Sequence, residues 1–484
     1  MKTVKLKLYQ ALALSSIILL GSCNDENLGS EAQIINSFSV NGKSNTFFKA
    51  VINADNTITI KVSPQINAEE ELDTALPTFY LSKGATVTPD PTLAQNFAQD
   101  GGVKYTVTSE DKKNKRDYIV SWDLSDKLSY GEGFSYAEIG SRKNFVELGY
   151  PGEFKNFNLP DSKLYGDLQM YHAYCGDHIV LLSQAYVATS ASSPYALKVV
   201  DKNTLNEAGP LNLGSISIGN LKMISSDYKG RCVAAVINGN ETEFFYWAKI
   251  SDAPKSAGKI AINMASASDL SNNFQVAGDI AGNAWITALA TRGPKGEHYR
   301  IKVTNGKLAS NYSTIETGYS SADCTSFQMI SPLDDSDQPS FVVGDTEGAA
   351  NTANSVKCYI NSFAGSTSYV IPAYWQNILQ AWWVGTGFAP ARTGARTPVS
   401  ALPINGKSYV VITSGTSWWH AAAVLNANLQ TLAHENLNIA DGVNRAWSFG
   451  SYVDWYYDQD KDEAYLAVWF GRLGLYTYKM TCYE

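Results

Sequence analysis

The chain has 484 residues, with 38 Lys and Arg against 46 Asp and Glu, a formal net charge of −8. That balance argues against nucleic acid as a partner, because phosphate binding needs a basic face and none stands out. Aromatic residues are 12% of the chain and charged residues 17%, with 37 glycines for turns. Long 3.6-periodic apolar stretches are scarce, so the composition favours β structure, arranged as two or more domains or one large repeat.

In chain order, Lys2, Lys5 and Lys7 precede an apolar run over residues 8–20, which closes in Leu20-Gly21-Ser22-Cys23. A basic start, a short apolar segment and small residues before a junction are the marks of an export signal, and the run is short for a membrane span. A cysteine at the junction points to a lipoprotein signal peptide over 1–22, with Cys23 acylated as the first mature residue. Two or more acyl chains anchor stably where one binds only marginally. The alternative is an ordinary secretory peptide with an incidental cysteine. Asn24-Asp25-Glu26-Asn27 begins an acidic tether over 23–30 and resembles the export signal of Bacteroidetes surface lipoproteins. The resemblance implies an outer-membrane, lipid-anchored protein facing the cell exterior.

Residues 31–125 read as an immunoglobulin-like sandwich. Strands are expected over 34–40, 47–52, 57–62, 78–81, 104–109 and 117–122, separated by Asn41-Gly42, Asp55-Asn56, Lys83-Gly84 and Asp100-Gly101-Gly102. Thr57-Ile58-Thr59-Ile60-Lys61-Val62 alternates with the period of a half-buried strand. Tyr105-Thr106-Val107-Thr108-Ser109-Glu110-Asp111, Tyr118-Ile119-Val120-Ser121-Trp122 and Gly84-Ala85-Thr86-Val87-Thr88-Pro89 resemble the N-terminal immunoglobulin-like domain of a Bacteroidetes surface lipoprotein family associated with glycan-utilisation loci. That resemblance implies a spacer role.

From 129 to 484 a looser unit recurs, an apolar strand followed by an aromatic one. The apolar members fall at 178–183, 231–237, 284–289, 340–344, 408–413 and 463–470, and the aromatic members at 195–200, 243–250, 299–303, 356–361, 421–425 and 473–479. A spacing of roughly fifty to sixty residues, room for four short strands, predicts a β-propeller. The expected fold is all-β, the sandwich followed by a six- or seven-bladed propeller. Residues 134–159 would supply the seventh blade. A chain of separate sandwiches is the competing reading. The stretch from Ile216 through Asp227-Tyr228-Lys229-Gly230 to Lys249 resembles a propeller blade of the same lipoprotein family, with the Asp227 segment as its tight turn.

Besides Cys23 the cysteines are Cys175, Cys232, Cys324, Cys358 and Cys482, whose spacing gives neither a disulfide framework nor a zinc pattern. Disulfides remain open in an exported protein, and the pairs cannot be read from spacing. Asp458-Gln459-Asp460-Lys461-Asp462-Glu463 starts like a calcium loop but lacks the glycine at its sixth place, so a hairpin turn is the better account. Asp334-Asp335-Ser336-Asp337 lies between prolines in a loop. The histidines, 172, 178, 298, 420 and 434, show no metal-ligand spacing beyond a loose His172 and His178 pair. No metal or cofactor is called for. A catalytic acid pair could come from Asp167, Asp177, Asp279, Asp323, Asp345 or Asp454, each otherwise a turn or cap residue.

Eight of the eleven tryptophans fall between Trp375 and Trp469, including the pairs Trp382-Trp383 and Trp418-Trp419. Glycines and Pro390 follow the first pair, and Ser414, Gly415, Thr416 and Ser417 precede the second, so both have loop-like flanks. Exposed indoles on rigid loops suit carbohydrate, because a pyranose face stacks on the ring while polar groups bind its hydroxyls. Arg392, Arg396, His420, Arg445 and Gln376 are the nearby polar candidates; packing within a propeller core is the structural alternative for each indole. The reading is a surface glycan-binding lipoprotein. Its partners, a TonB-dependent importer and that importer's lipoprotein lid, are implied by the family resemblance alone. A propeller glycosidase or lyase, and a protein-binding scaffold or adhesin, are the alternatives.

Overall fold

The computed structural model describes residues 29–150, 170–183, 186–187, 192–264, 274–289, 297–316, 328–346, 356–362, 367–369, 399–415, 420–427, 432–434, 451–470 and 474–483. The chain divides into two compact units, Met1–Asp126 and Lys127–Glu484.

The first unit contains β1 (Ile34–Asn41), β2 (Phe47–Ile52), β3 (Thr57–Val62), the short helix α1 (Ala68–Leu72), β4 (Leu76–Leu81), β5 (Thr86–Thr88), β6 (Val103–Thr108) and β7 (Lys115–Leu124). Local chemistry sets the turns. Between β2 and β3, Asn56 takes a φ of 67° and Asp55 Oδ1 accepts from the Thr57 amide at 3.0 Å, the kind of Asx turn that short polar residues favour. The alternation in β3 sends Ile58, Ile60 and Val62 inward, all 0% exposed, where they meet a core that includes Phe38, Phe97 and Tyr105. Phe38 stacks on Phe79 at 4.9 Å and meets Tyr105 edge-on at 6.1 Å.

An immunoglobulin-like sandwich is not confirmed for this unit, whose strands form one hydrogen-bonded path, β4-β1-β2-β3-β7-β6-β5, while Phe38 and Phe79 of one end of the path meet Tyr105 of the other. The parallel pairing of β3 with β7, from Thr57 opposite Ile119 to Val62 opposite Leu124, links β4-β1-β2-β3 to β7-β6-β5 in this path.

The second unit opens with β8 (Tyr136–Lys143). A three-stranded sheet follows, β9 (Met170–Cys175), β10 (His178–Ser183) and β11 (Leu197–Asp201), then a four-stranded sheet, β12 (Leu221–Ser226), β13 (Cys232–Asn238), β14 (Glu241–Trp247) and β15 (Lys255–Ile260). The next has five strands: β16 (Gln275–Gly278), β17 (Ala284–Leu289), β18 (Glu297–Thr304), β19 (Lys307–Leu308) and β20 (Ser313–Glu316). Two more have four: β21 (Gln328–Pro332), β22 (Ser340–Thr346), β23 (Val356–Ser362) and β24 (Thr367–Tyr369); and β25 (Val399–Ile404), β26 (Lys407–Gly415), β27 (His420–Asn426) and β28 (Leu432–His434). The last sheet is β29 (Ser451–Asp458), β30 (Glu463–Phe470) and β31 (Gly474–Thr481), completed by β8, which pairs with β31.

The first strands of successive sheets pack together: β9 on β12, β12 on β16, β16 on β21, β21 on β25, β25 on β29 and β29 on β9. This is the propeller-like arrangement expected, and each apolar-then-aromatic pair read in the sequence is an antiparallel pair, β10 with β11 through to β30 with β31. The blade count differs. Among the described residues five sheets reach four or more strands, so the full blades number five rather than six or seven; the β9–β11 sheet has three strands. Of the expected seventh blade over residues 134–159, the described part, 134–150, does not build a blade of its own, because β8 fills the open edge of the last sheet and the Asn144-to-Leu148 stretch is a turn; residues 151–159 lie outside the described residues. Joining the beginning of this unit to its end leaves that sheet no free edge on β31. Among the described residues no helix is long and apolar enough to cross a membrane.

Candidate functional site

Antiparallel registers fix which strand ends lie together. In the β25–β28 sheet, Ile404 pairs with Lys407 at one end and Gly415 with His420 at the other. The last sheet repeats this, with Asp458 opposite Glu463 at one end and Ser451 opposite Phe470 at the other. The first turns of neighbouring sheets also touch. The Gly176 amide donates to Gly230 O at 2.9 Å, the Tyr228 amide to Gly278 O at 3.0 Å, and Ser408 Oγ to Leu333 O at 3.0 Å. These turns therefore gather at one end of the propeller-like unit. The start of the first and third strand of each sheet, and the finish of the second and fourth, gather at the other.

Trp382, Trp383, Arg392, Arg396, Trp418, Trp419 and Arg445 lie outside the described residues, as do Cys23 and Gln376. Of the candidate ligand residues, His420 is reached, by its backbone, as the first residue of β27 opposite Gly415. The strand ends that adjoin the tryptophan-rich segments are Tyr369, Val399, Gly415, His420, His434 and Ser451. By the strand directions, all six belong to the end opposite the first turns.

At the first-turn end the candidate carboxylates hold turns. Asp227 follows β12, and its Oδ1 accepts from the amides of Lys229 (2.9 Å) and Arg231 (2.8 Å). Its Oδ2 accepts from the Ile280 amide of the next sheet at 3.1 Å, and Arg231 Nη1 reaches both Asp227 and Asp279 Oδ1. One arginine and one carboxylate thus tie two adjacent turns. Burial pushes the Asp227 carboxyl upward, with Arg231 and the amides opposing. Gly230 closes this turn with a φ of 71°, and a Cβ there would sit 2.7 Å from the Tyr456 ring. Asp279 accepts from the Ala281 amide at 2.8 Å, and Asp177 pairs with Lys202 at 2.9 Å, both at turns, as the sequence suggests.

Asp454 is different. It lies in the middle of β29, not in a turn, and is 2% exposed. Its Oδ2 accepts from the Ser226 amide at 2.6 Å, its Oδ1 from the Trp455 amide at 2.9 Å, and Ser226 Oγ accepts from the Tyr174 amide at 2.7 Å. Three first strands, β29, β12 and β9, are therefore knotted at one carboxyl. Burial pushes its pKa up to about 7, and the neighbouring Asp227 adds to the rise. His172, on β9, is fully buried beside the Tyr452 ring, with Nε2 donating to Ala467 O at 3.0 Å and Nδ1 without a partner among the described residues. Burial drives its pKa down to about 3, so it is neutral at ordinary pH. The registers place His172 opposite Leu181 and His178 opposite Cys175, so the two histidines do not form a ligand pair.

The calcium-like run is the β29–β30 hairpin turn. Asp458 Oδ1 caps the amides of Asp460 (3.1 Å) and Lys461 (3.3 Å), Asp462 pairs with Lys127 at 2.6 Å, and Glu463 accepts from Tyr465 OH at 2.6 Å. Asp334 caps Ser336 at 2.9 Å, and Asp337 pairs with Lys302 at 2.7 Å. Sequence reasoning passed over Lys202, whose side chain is 3% exposed and whose ammonium donates to Tyr456 OH at 2.8 Å and lies 4.1 Å from the Tyr465 ring centroid. Nothing in its local sequence distinguishes it from a surface lysine, since the rings come from β29 and β30.

With this geometry in hand, the chain can be compared with known proteins. Residues 35–121 match the family described as "SGBP, N-terminal", the N-terminal domain of surface glycan-binding proteins. Among curated proteins none matches the chain in sequence. Solved structures similar to it include a DUF4623 family protein from Bacteroides eggerthii, at 12% identity and a TM-score of 0.42, covering 93% of this chain and 98% of that one. An endo-arabinase from Bacteroides thetaiotaomicron is similar at 15% identity and a TM-score of 0.32, covering 57% of this chain and 97% of its own. A fucose-specific lectin from Aleuria aurantia is similar at 8% identity and a TM-score of 0.33, covering 65% and 96%. At such values these are distant likenesses only. The N-terminal match supports a surface protein of Bacteroidetes glycan utilisation, as the resemblance in the sequence implied.

Proposed function

We propose that this is a lipid-anchored, cell-surface glycan-binding protein that captures oligo- or polysaccharide for a TonB-dependent importer and its lipoprotein lid. The observation that carries the reading is the match of residues 35–121 to the N-terminal domain of surface glycan-binding proteins. In this reading Cys23 bears the acyl chains, residues 23–30 form the tether, 31–125 the spacer and 129–484 the ligand-bearing domain. Trp382, Trp383, Trp418 and Trp419 stack on sugar faces, while Arg392, Arg396, His420 and Arg445 bind hydroxyls. Two features support it. The strand ends adjoining those residues share one end of the propeller-like unit, and the buried carboxylates Asp227 and Asp454 are engaged in holding sheets together. Weak contacts at several rings then raise the local concentration of ligand at the surface.

The test is a glycan-panel binding and turnover assay on the chain beginning at residue 23 with Cys23→Ser, beside a variant carrying Trp382→Ala, Trp383→Ala, Trp418→Ala and Trp419→Ala whose fold is checked by circular dichroism. Binding without product, reduced at least about tenfold in the folded variant, is the expected result, as each lost stacking contact is worth on the order of 1 kcal/mol. Product formation would instead make the protein a glycosidase or lyase. Undiminished binding in the variant would remove the tryptophans from the site.

A further inference from the structure

Two thiols from adjacent sheets lie near enough to influence one another at the first-turn end of the propeller-like unit. Cys175 is the last residue of β9 and Cys232 the first of β13, and both are free and fully buried. Cys175 Sγ donates to Trp247 O at 3.7 Å, and Trp247 is the residue paired opposite Cys232. The backbone N–H of Cys232 faces the same sulfur and favours its thiolate form. The sulfur therefore lies against the main chain that carries the second thiol. The bond from the Gly176 amide to Gly230 O, 2.9 Å, holds the residue after Cys175 to the turn just before Cys232. The third described thiol, Cys482, is placed elsewhere, 3.9 Å from Tyr457 OH.

We propose that Cys175 and Cys232 are the two halves of an inter-sheet disulfide that staples β9–β11 to β12–β15. The staple falls where the architecture is thinnest, since the β9–β11 sheet has three strands among the described residues and its neighbour four. The reaction is thiol–disulfide exchange with an external disulfide as oxidant. One cysteine thiolate attacks the oxidant and forms a mixed disulfide, releasing one thiol. The second thiolate then displaces the other half. Two S–H bonds break, one S–S bond forms, and the two electrons and two protons leave in the reduced oxidant.

Timing follows from burial. The Cys175 thiol is pushed up to about 12 and the Cys232 thiol well above its ordinary range, so native thiolate is scarce and an oxidant has no path to either sulfur. Closure belongs to folding, before the two sheets have shut around the pair. Exposure to an oxidising compartment rests on the export reading above; the pairing itself does not.

The test is made in vitro, so its failure would leave the glycan reading untouched. The chain from residue 23 with Cys23→Ser is unfolded, reduced, and refolded with oxidised and reduced glutathione. It is then quenched in acid, alkylated, and mapped by non-reducing peptide mass spectrometry. The expected product is a cross-linked peptide containing residues 175 and 232, with Tm raised by about 5 °C over the reduced protein. That rise should be absent in Cys175→Ala and in Cys232→Ala, each folded by circular dichroism. Already-folded reduced protein should close at least about tenfold more slowly than refolding protein. Recovery of both cysteines alkylated after refolding, or joined instead to Cys324 or Cys358, would overturn the proposal.

Discussion

Asp454→Asn, measured against pH, tests whether this carboxyl is as dry as its surroundings imply. Its pKa stands at about 7 against an ordinary 3.8, raised chiefly by burial. A folded-state pKa above the unfolded one means that the folded protein binds the proton more tightly across that window. Stability is therefore greatest below about pH 4, falls as the pH rises toward 7, and is level above it. Each pH unit within the window is worth about 1.4 kcal/mol, a total on the order of 4 kcal/mol. His172 acts in the opposite sense. Its pKa, lowered from 6.5 to about 3 by burial, costs stability as the pH falls below 6.5, because the unfolded chain then takes up a proton that the folded chain refuses. Between about pH 4 and 6.5 the two slopes offset, and the wild-type profile is nearly flat from these two groups. Asp227, also raised by burial and facing Asp454, adds a slope of the same sign as Asp454. In Asp454→Asn the amide oxygen still accepts from Ser226 but does not titrate. Between pH 5 and pH 7 the variant should gain about 2 kcal/mol on the wild type, whatever the constant offset of the substitution. His172→Gln should show the reverse trend on acidification. The assay is urea denaturation followed by tryptophan fluorescence, which reports the second unit because ten of the eleven tryptophans follow Asp126. Parallel wild-type and Asp454→Asn profiles, within about 0.5 kcal/mol over that range, would refute the reasoning and mean that water reaches the carboxyl.

Gly230→Ala should destabilise the second unit by about 2 kcal/mol or more, since alanine is disfavoured at a φ of 71° and its methyl would press on the Tyr456 ring; a lowered urea midpoint with unchanged m-value checks this. In the first unit, Tyr105 is 0% exposed and its hydroxyl has no partner among the described residues. Tyr105→Phe should therefore be neutral or stabilising by about 1 kcal/mol, measured as the Tm of that unit, and a loss of more than about 1 kcal/mol would show that the hydroxyl is bonded through water.

The proposed site rests on one feature that the sequence makes legible. The concentration of indoles between Trp375 and Trp469 is a property of composition, and the strand ends that adjoin the pairs fall at one end of the unit because hairpins alternate direction. The centre was less so. Asp454 reads like any acidic residue in Tyr452-Val453-Asp454-Trp455, and its task depends on Ser226, which another sheet supplies. Lys202 is silent for the same reason, because the rings around it are far away in sequence.

What the sequence alone determined is local. The alternation in Thr57-Ile58-Thr59-Ile60-Lys61-Val62 sets which side chains β3 buries, and the residues of Asp227-Tyr228-Lys229-Gly230 and Asp458 to Asp462 make their hairpin turns, because side-chain period and turn hydrogen bonds are settled within a few residues. Tertiary structure decided which edges met. The parallel pairing of β3 with β7 joined the strands of the first unit into one hydrogen-bonded path, and the pairing of β8 with β31 spent β8 on completing the last sheet. Any strand edge offers the same amide and carbonyl groups, so the choice between edges rests on which faces the rest of the chain has already buried.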